Sequence, residues 1–208
     1  MWFFVFFYSV TDAIQGNVYR ILYIHVPSAA TAFCATTALF VSSLYGLMKP
    51  KENNAFFSLC ACEVALFFTI ITLLTGSIWG KPTWGTWWTW DARLTTTLLL
   101  AILLFGYMFL WHALEDNRTR NRSLGVVGIF IFMDLPIIYK SVTWWRTLHQ
   151  PPSLFRETGT TMSPEIVTCL IVATVSLLLF GAWCLWQRFS NLLLREQIEL
   201  EATSTVEG

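Results

Sequence analysis

Charge is what this sequence has least of. Only 12% of its 208 residues are Asp, Glu, Lys or Arg, about half the share of an ordinary soluble domain, while 55% are hydrophobic. With a mean hydropathy of +0.57, such a chain reads as a membrane protein before any motif is sought. No charge of either sign predominates, since 13 basic residues meet 13 acidic ones. That balance leaves no basic surface for nucleic acid. Cysteine motifs are missing too. The five cysteines (Cys34, Cys60, Cys62, Cys169, Cys184) include no C-x-x-C and no C-x-x-C-H. Thiol redox chemistry and covalent haem attachment therefore lack their signatures. All five lie in apolar runs and read as small buried hydrophobes. There is no tandem repeat and no low-complexity linker, so residues 1–208 form one integral membrane domain. A catalytic triad, a phosphate loop and a pair of hydrolytic carboxylates are all absent, so nothing marks the chain as an enzyme in its own right.

What the sequence does have is long apolar runs. A spanning helix needs about 20 mostly apolar residues. Five runs qualify: 21–48 with Pro27 inside, 55–79, 94–114, 124–143 with Asp134 and Pro136 inside, and 166–186. The apolar segment 1–10 is about half the required length and has no basic flank, so it reads as the tail of a helix whose beginning is missing. The connections are short: 49–54, then the Trp-rich stretch 79–95, then 115–123, then 144–165. From Gln187 the sequence is a polar tail, expected to be helical at first and disordered from about Ala202. The fold class is thus all-α, a polytopic transmembrane helix bundle with five full spans and a truncated first helix.

Helix parity then sorts the loops. If the first full span starts on side A, the second span returns there and the third leaves from it. The fourth comes back to it. Side A therefore carries His25 near the start of a span, the stretch 79–95 and the loop 144–165. Seven of the eleven tryptophans lie in the two side-A loops: Trp79, Trp84, Trp87, Trp88, Trp90, Trp144 and Trp145. Side B holds seven of the Lys and Arg residues against six on side A, with a dense cluster at Arg118, Arg120 and Arg122. Because basic residues favour the cytoplasm, B leans cytoplasmic.

The chemistry follows from the loops. The stretch WGKPTWGTWWTWDARLT places five tryptophans within twelve positions, spaced 5, 3, 1 and 2 apart, which fits no single helical stripe. An aromatic belt at the headgroups remains an alternative, but a belt scatters one or two tryptophans per helix end. Gly80 and Gly85 would permit tight turns. Of the three histidines, His112 lies near side B and reads as an ordinary interfacial residue. His25 and His149 both fall on the tryptophan-bearing face. Two imidazoles are too few for a zinc site but match the two axial positions of a haem. Trp faces suit a flat porphyrin, and Arg20 and Arg93 are side-A cations able to pair with propionates. Two acidic residues stand within apolar runs. Asp134 is expected to cap the half-helix that restarts at Pro136, with proton transfer as the alternative. Glu63 carries no assignment. The run SAATAFCATTA (28–38) suits close helix packing.

These residues resemble a known family. WGKPTWGTWWTWDARLT resembles the tryptophan-rich "WWD" signature of haem-handling membrane proteins of cytochrome c maturation, and its ending WDARLT is similar to that of the heme exporter protein C (CcmC) family. QGNVYRILYIHVPSA (15–29) and LPIIYKSVTWWRTLHQ (135–150) agree, in the same order. The resemblance covers residues 15–186. It implies six transmembrane helices with the WWD loop in the periplasm of a bacterium, the bundle in the inner membrane and residues 187–208 in the cytoplasm. It implies that His25 and His149 are the axial ligands of a non-covalent haem b. It also implies that Trp84, Trp87, Trp88, Trp90 and Asp91 form the core of the haem-binding loop, with Arg20 and Arg93 as the motif arginines. The partners it implies are haem, the haem chaperone CcmE, the ATPase CcmA with membrane subunit CcmB, the small subunit CcmD, and membrane lipid. Any ATPase activity then resides in a partner subunit. Two other readings stand beside it. One is a bis-histidine b-type electron-transfer cytochrome, which would need a second redox site. The other is a channel carrying haem across the bilayer, for which side B has too few aromatic residues.

Overall fold

The computed structural model describes residues 9, 12, 15–49, 52–149 and 162–207. Ser9 apart, the apolar segment 1–10 lies outside them, as does the part of the last loop from 150 to 161. A 3-10 turn, Asn17–Ile21, leads directly into α1, Leu22–Met48. Then follow α2 (Glu52–Trp84), α3 (Ala92–Ala113), α4 (Asn117–Phe132), α5 (Asp134–Trp144) and α6 (Pro164–Glu207). Five helical stretches, with α4 and α5 counted as one, are long and apolar enough to cross a membrane. The only strand-like feature among the described residues is a bridge between Asp12 and Gly16. The expected all-α polytopic bundle is what the chain forms. Its outer surface carries rows of exposed apolar side chains, among them Phe67, Leu74, Ile102, Phe105, Phe109 and Phe130. Water would not tolerate so much of that surface, but hydrocarbon does.

The helix ends differ from the expected ones for local reasons. Asp91 caps α3, its Oδ1 accepting from the Leu94 backbone N–H at 2.8 Å. Asp116 caps α4 in the same way, accepting from Thr119 N–H at 2.7 Å. The polar run 115–123, expected as a loop, is therefore mostly the first two turns of α4. Near mid-membrane the chain breaks at Met133, between α4 and α5. Pro136 has no N–H to give to the Phe132 carbonyl, and its ring crowds that carbonyl. Asp134 does not cap the restart. It is the first residue of α5, no side-chain hydrogen bond caps that helix, and both carboxylate oxygens are buried without a partner among the described residues. The tail does not fray near Ala202, since α6 continues unbroken to Glu207. At 1.5 Å per residue its 44 residues reach about 66 Å, roughly twice the hydrocarbon thickness.

Small residues set the packing. On α1, Ser28, Thr31, Ala32, Ala35 and Thr36 are all buried. A methyl group at Gly181 of α6 would stand 2.7 Å from Thr31 Cγ2, and one at Gly125 of α4 would stand 2.7 Å from Leu47 Cγ. The helices thus meet backbone to side chain, as small residues allow in a membrane. Cys60, Cys62 and Cys169 are buried as expected, with Cys62 donating its thiol to the Leu104 carbonyl at 3.3 Å. Cys34 is not buried: it sits on the exposed face of α1. Glu63, unassigned from sequence, pairs with Arg188 of α6 through two hydrogen bonds, Nε to Oε2 at 2.8 Å and Nη2 to Oε1 at 3.0 Å.

Candidate haem site at one end of the bundle

The site grows from the end of α2. This helix runs past Trp79 through Pro82 to Trp84, further than expected, so the loop proper is only residues 85–91. Gly85 ends the helix with φ +78°, a left-handed position that favours glycine, and its N–H reaches the Lys81 carbonyl at 3.0 Å. Gly80, expected in a turn, lies inside the helix. A Cβ there would stand 3.1 Å from the Trp84 ring and 3.3 Å from the Thr86 carbonyl oxygen, so Gly80 gives room for the loop to fold back.

The last turns of α2 put one tryptophan beside each imidazole. Trp79 meets the His25 ring edge-on, with centroids 5.8 Å apart, and Trp84 meets the His149 ring at 5.0 Å. Trp79 is itself held by a hydrogen bond from its Nε1 to Gln15 Oε1 at 2.7 Å and by the Tyr19 ring at 6.2 Å. The charge of the Arg93 guanidinium acts on both imidazoles. The parity expectation that these two histidines and the Trp-rich loop share one end of the bundle is what the fold has. His112 is exposed in the last turn of α3, away from them.

Each imidazole has one nitrogen engaged. His25 Nδ1 lies 3.1 Å from the Thr72 carbonyl oxygen and 3.1 Å from Thr75 Oγ1. His149 Nδ1 lies 3.3 Å from Asp91 Oδ2, a long contact supported by the Leu148 backbone N–H, which donates to the same oxygen at 3.3 Å. A carbonyl and a carboxylate can only accept, so both Nδ1 atoms are donors, and in the neutral ring each Nε2 keeps a lone pair. Burial pushes the His149 pKa below its ordinary 6.5, although the Asp91 carboxylate pulls the other way. His149 is therefore neutral at pH 7. Asp91 itself is sequestered, its side chain 8% exposed, and serves three donors: Leu94 N–H, Leu148 N–H and His149 Nδ1–H.

The remaining site candidates divide by exposure. Trp84 and Trp88 are half-buried, whereas Trp87 and Trp90 are 57% and 76% exposed, and Trp88 and Trp90 meet edge-on at 5.6 Å. Trp144 and Trp145 are exposed as well. Arg93 makes one long hydrogen bond, Nη2 to the Tyr139 carbonyl at 3.4 Å. Its Nε, the Nε of Arg20 and the Nε1 of Trp88 are buried donors with no acceptor among the described residues. Arg20 sits beside Tyr23, a turn before His25, and nothing ties it directly to either imidazole. An open cleft lies beside the His149 loop, with Trp90, Asp91, Trp145 and Arg146 on its walls. Neither imidazole lines it, so Asp91 is the wall that cleft and imidazole share.

Among the described residues no group of three or more His, Cys, Asp and Glu side chains could enclose a bare metal ion. The donor set fits a metal that brings most of its own ligands. Two neutral imidazoles with free Nε2 atoms match the two open positions of an iron porphyrin, and the orphaned Arg and Trp donors match its two carboxylates. Sequence reasoning did not find the Thr72–Thr75 contact or the Asp91–His149 pair. The first is hidden in an apolar run, and the second joins residues 58 positions apart.

A family model described as heme exporter protein C matches residues 1–204. The chain belongs to this family. Heme exporter protein C of Escherichia coli strain K12 is 37% identical over 193 residues, which is 93% of this chain and 78% of that protein. Its counterpart in Bradyrhizobium diazoefficiens is 35% identical over 187 residues, or 90% of this chain and 71% of that protein. The Haemophilus influenzae heme exporter protein C is 33% identical over 189 residues, covering 91% and 77%. The matched segment includes both histidines and the whole loop 85–91, so the site described above lies within what the family shares in sequence length.

Proposed function

We propose that this membrane protein handles haem for export in cytochrome c biogenesis, holding it between His25 and His149 at the periplasmic end of the bundle. The observation that carries this reading is the state of the two imidazoles: at one end of the bundle, each beside a tryptophan of α2, each held through Nδ1, and each with Nε2 left for iron. Haem is the cargo, and its iron supplies the two bonds that the Nε2 atoms complete. Trp84 and Trp88 give apolar walls. Arg93 answers a propionate, with Arg20 available for the other. Trp87 and Trp90, exposed, form the open edge at which a receiving protein docks, and the family points to the haem chaperone CcmE for that role. Asp91 works through His149 rather than on haem, because its oxygens are already engaged by protein donors.

Family membership likewise suggests that the chain works with the ATPase CcmA, the membrane subunit CcmB and the small subunit CcmD in a bacterial inner membrane. It acts as a transport subunit rather than as an enzyme. The side-A assignment to the periplasm rests on the Arg-rich start of α4 at the opposite end. A bis-histidine electron-transfer cytochrome draws no support from the fold, since the third and last histidine, His112, lies alone on α3.

Purification in detergent followed by an absorption spectrum tests the reading. The wild type is expected to carry b-type haem near one per chain, and the His25→Ala, His149→Ala double variant to lose most of it. Full haem with the same Soret band in the double variant would remove the ligand assignment.

A further inference from the structure

His25 is held by a part of α2 that no motif marks. The segment Thr72–Gly76 faces it with three features. The Thr72 carbonyl oxygen lies 3.1 Å from Nδ1. Thr75 Oγ1 lies 3.1 Å from the same nitrogen. Thr75 donates its own hydroxyl hydrogen to the backbone, to Ile71 O at 2.7 Å or Thr72 O at 3.2 Å, so towards His25 it can only accept. Both contacts therefore fix the proton on Nδ1. The third feature is a missing side chain. A Cβ at Gly76 would stand 3.0 Å from His25 Cε1 and 3.5 Å from Nδ1. The ring thus lies close against the helix backbone, and a methyl group at 76 would press it out by a few tenths of an ångström. Thr72 has a second duty, its own hydroxyl donating to Phe68 O at 2.8 Å, which keeps that turn regular.

We propose that Thr75 and Gly76, with the Thr72 carbonyl, are positioning residues that seat the His25 imidazole and present its Nε2 to haem iron. This rests on the haem reading above. It adds that the two ligands are unequal. His25 hydrogen-bonds neutral oxygens and is seated on a helix, while His149 hydrogen-bonds a carboxylate and rides on a loop. A carboxylate partner makes an imidazole the stronger donor. His25 is then the weaker electronic donor of the two and depends on geometry for its bond.

The test uses the full chain in detergent with four variants: Gly76→Ala, Thr75→Val, Thr75→Ser and His25→Ala. Alanine is a better helix former than glycine, so the backbone alone favours Gly76→Ala, and any loss must come from the displaced ring. The expected result is a several-fold loss of haem occupancy in Gly76→Ala, together with a changed low-spin ferric EPR spectrum. Thr75→Val is expected to shift the EPR spectrum and the midpoint potential with a smaller loss of haem, and Thr75→Ser to restore both. Thermal melting of the haem-free chains separates these effects from unfolding, and Thr75→Val, close in shape to threonine, serves if Gly76→Ala fails to accumulate. Wild-type occupancy, potential and EPR spectrum in Gly76→Ala and Thr75→Val, with haem lost from His25→Ala, overturns the seat and leaves the haem reading standing. Full haem in His25→Ala overturns both.

Discussion

The two ends of this bundle use a carboxylate in opposite ways. At the end away from the tryptophans, Glu63 meets Arg188 through two charge-assisted hydrogen bonds and ties α2 to α6. Charge answers charge, and nothing is left over in the pair. At the tryptophan end, Asp91 pairs with no cation directly among the described residues and instead takes Leu94 N–H, Leu148 N–H and His149 Nδ1–H. The first end is built to hold itself together. The second sets its carboxylate to hold an imidazole in place.

If that contrast is right, the two carboxylates should fail differently when removed. Asp91→Ala gives the largest effect. It frees the imidazole partner, and the loss of such a partner lowers metal affinity by about 10–100-fold. It also removes a helix cap worth about 1 kcal/mol. Haem titration of the purified variant should show the affinity loss, and the melting temperature should fall only slightly. Asp91→Ala with undiminished haem affinity would place Asp91 at the far end's kind of role. Glu63→Ala should do the reverse. It leaves Arg188 without a partner, and because that arginine is 40% exposed the cost is discounted to about 1–2 kcal/mol. Melting should drop while the haem spectrum and affinity stay as in the wild type. Replacing both Glu63 and Arg188 by leucine should recover most of the melting temperature, since neither charge is then stranded.

How much of this the sequence makes legible depends on the range of the interaction. Spans follow from the length of apolar runs, and the convergence of His25, His149 and the Trp-rich loop follows from counting spans. Both need only local composition. The break before Asp134 follows from Pro136, but what Asp134 does there does not, because a cap is a matter of one torsion angle. Gly80 and Gly85 look alike in sequence. One makes a turn and the other makes room, and only the position of Trp84 and Thr86 decides which. Glu63 has no visible partner because Arg188 lies 125 residues away, in a region that reads as the start of a polar tail. Thr72, Thr75 and Gly76 are invisible for a related reason: inside an apolar helix, a threonine whose hydroxyl bonds its own backbone is unremarkable. The histidine ring that uses them comes from another helix.

The smallest effect is the one of pH on the His149 loop, and its sign separates the two ends again. Burial outweighs Asp91, so the folded His149 pKa lies below the ordinary 6.5 that the unfolded chain would have. As pH falls below about 6.5 the unfolded chain takes up a proton first. The stability from a neutral His149 is therefore fully present above about pH 6.5 and is lost progressively as pH falls towards the lower folded value. Proton and iron also compete for the same Nε2, so haem affinity should be flat from about pH 8 to 6.5 and decline only below that. Asp91→Asn removes the carboxylate that opposes burial, which lowers the His149 pKa further and moves the acid decline to lower pH, even as the affinity at pH 7 drops. A haem titration repeated across pH for both proteins reads this directly. An acid limb already present at pH 7 in the wild type would mean that the charge of Asp91 and not burial controls His149, and one that moves upward in Asp91→Asn would mean that the carboxylate does not act on His149 in this way. The Glu63–Arg188 end should leave that profile untouched, because neither of its groups lies beside an imidazole.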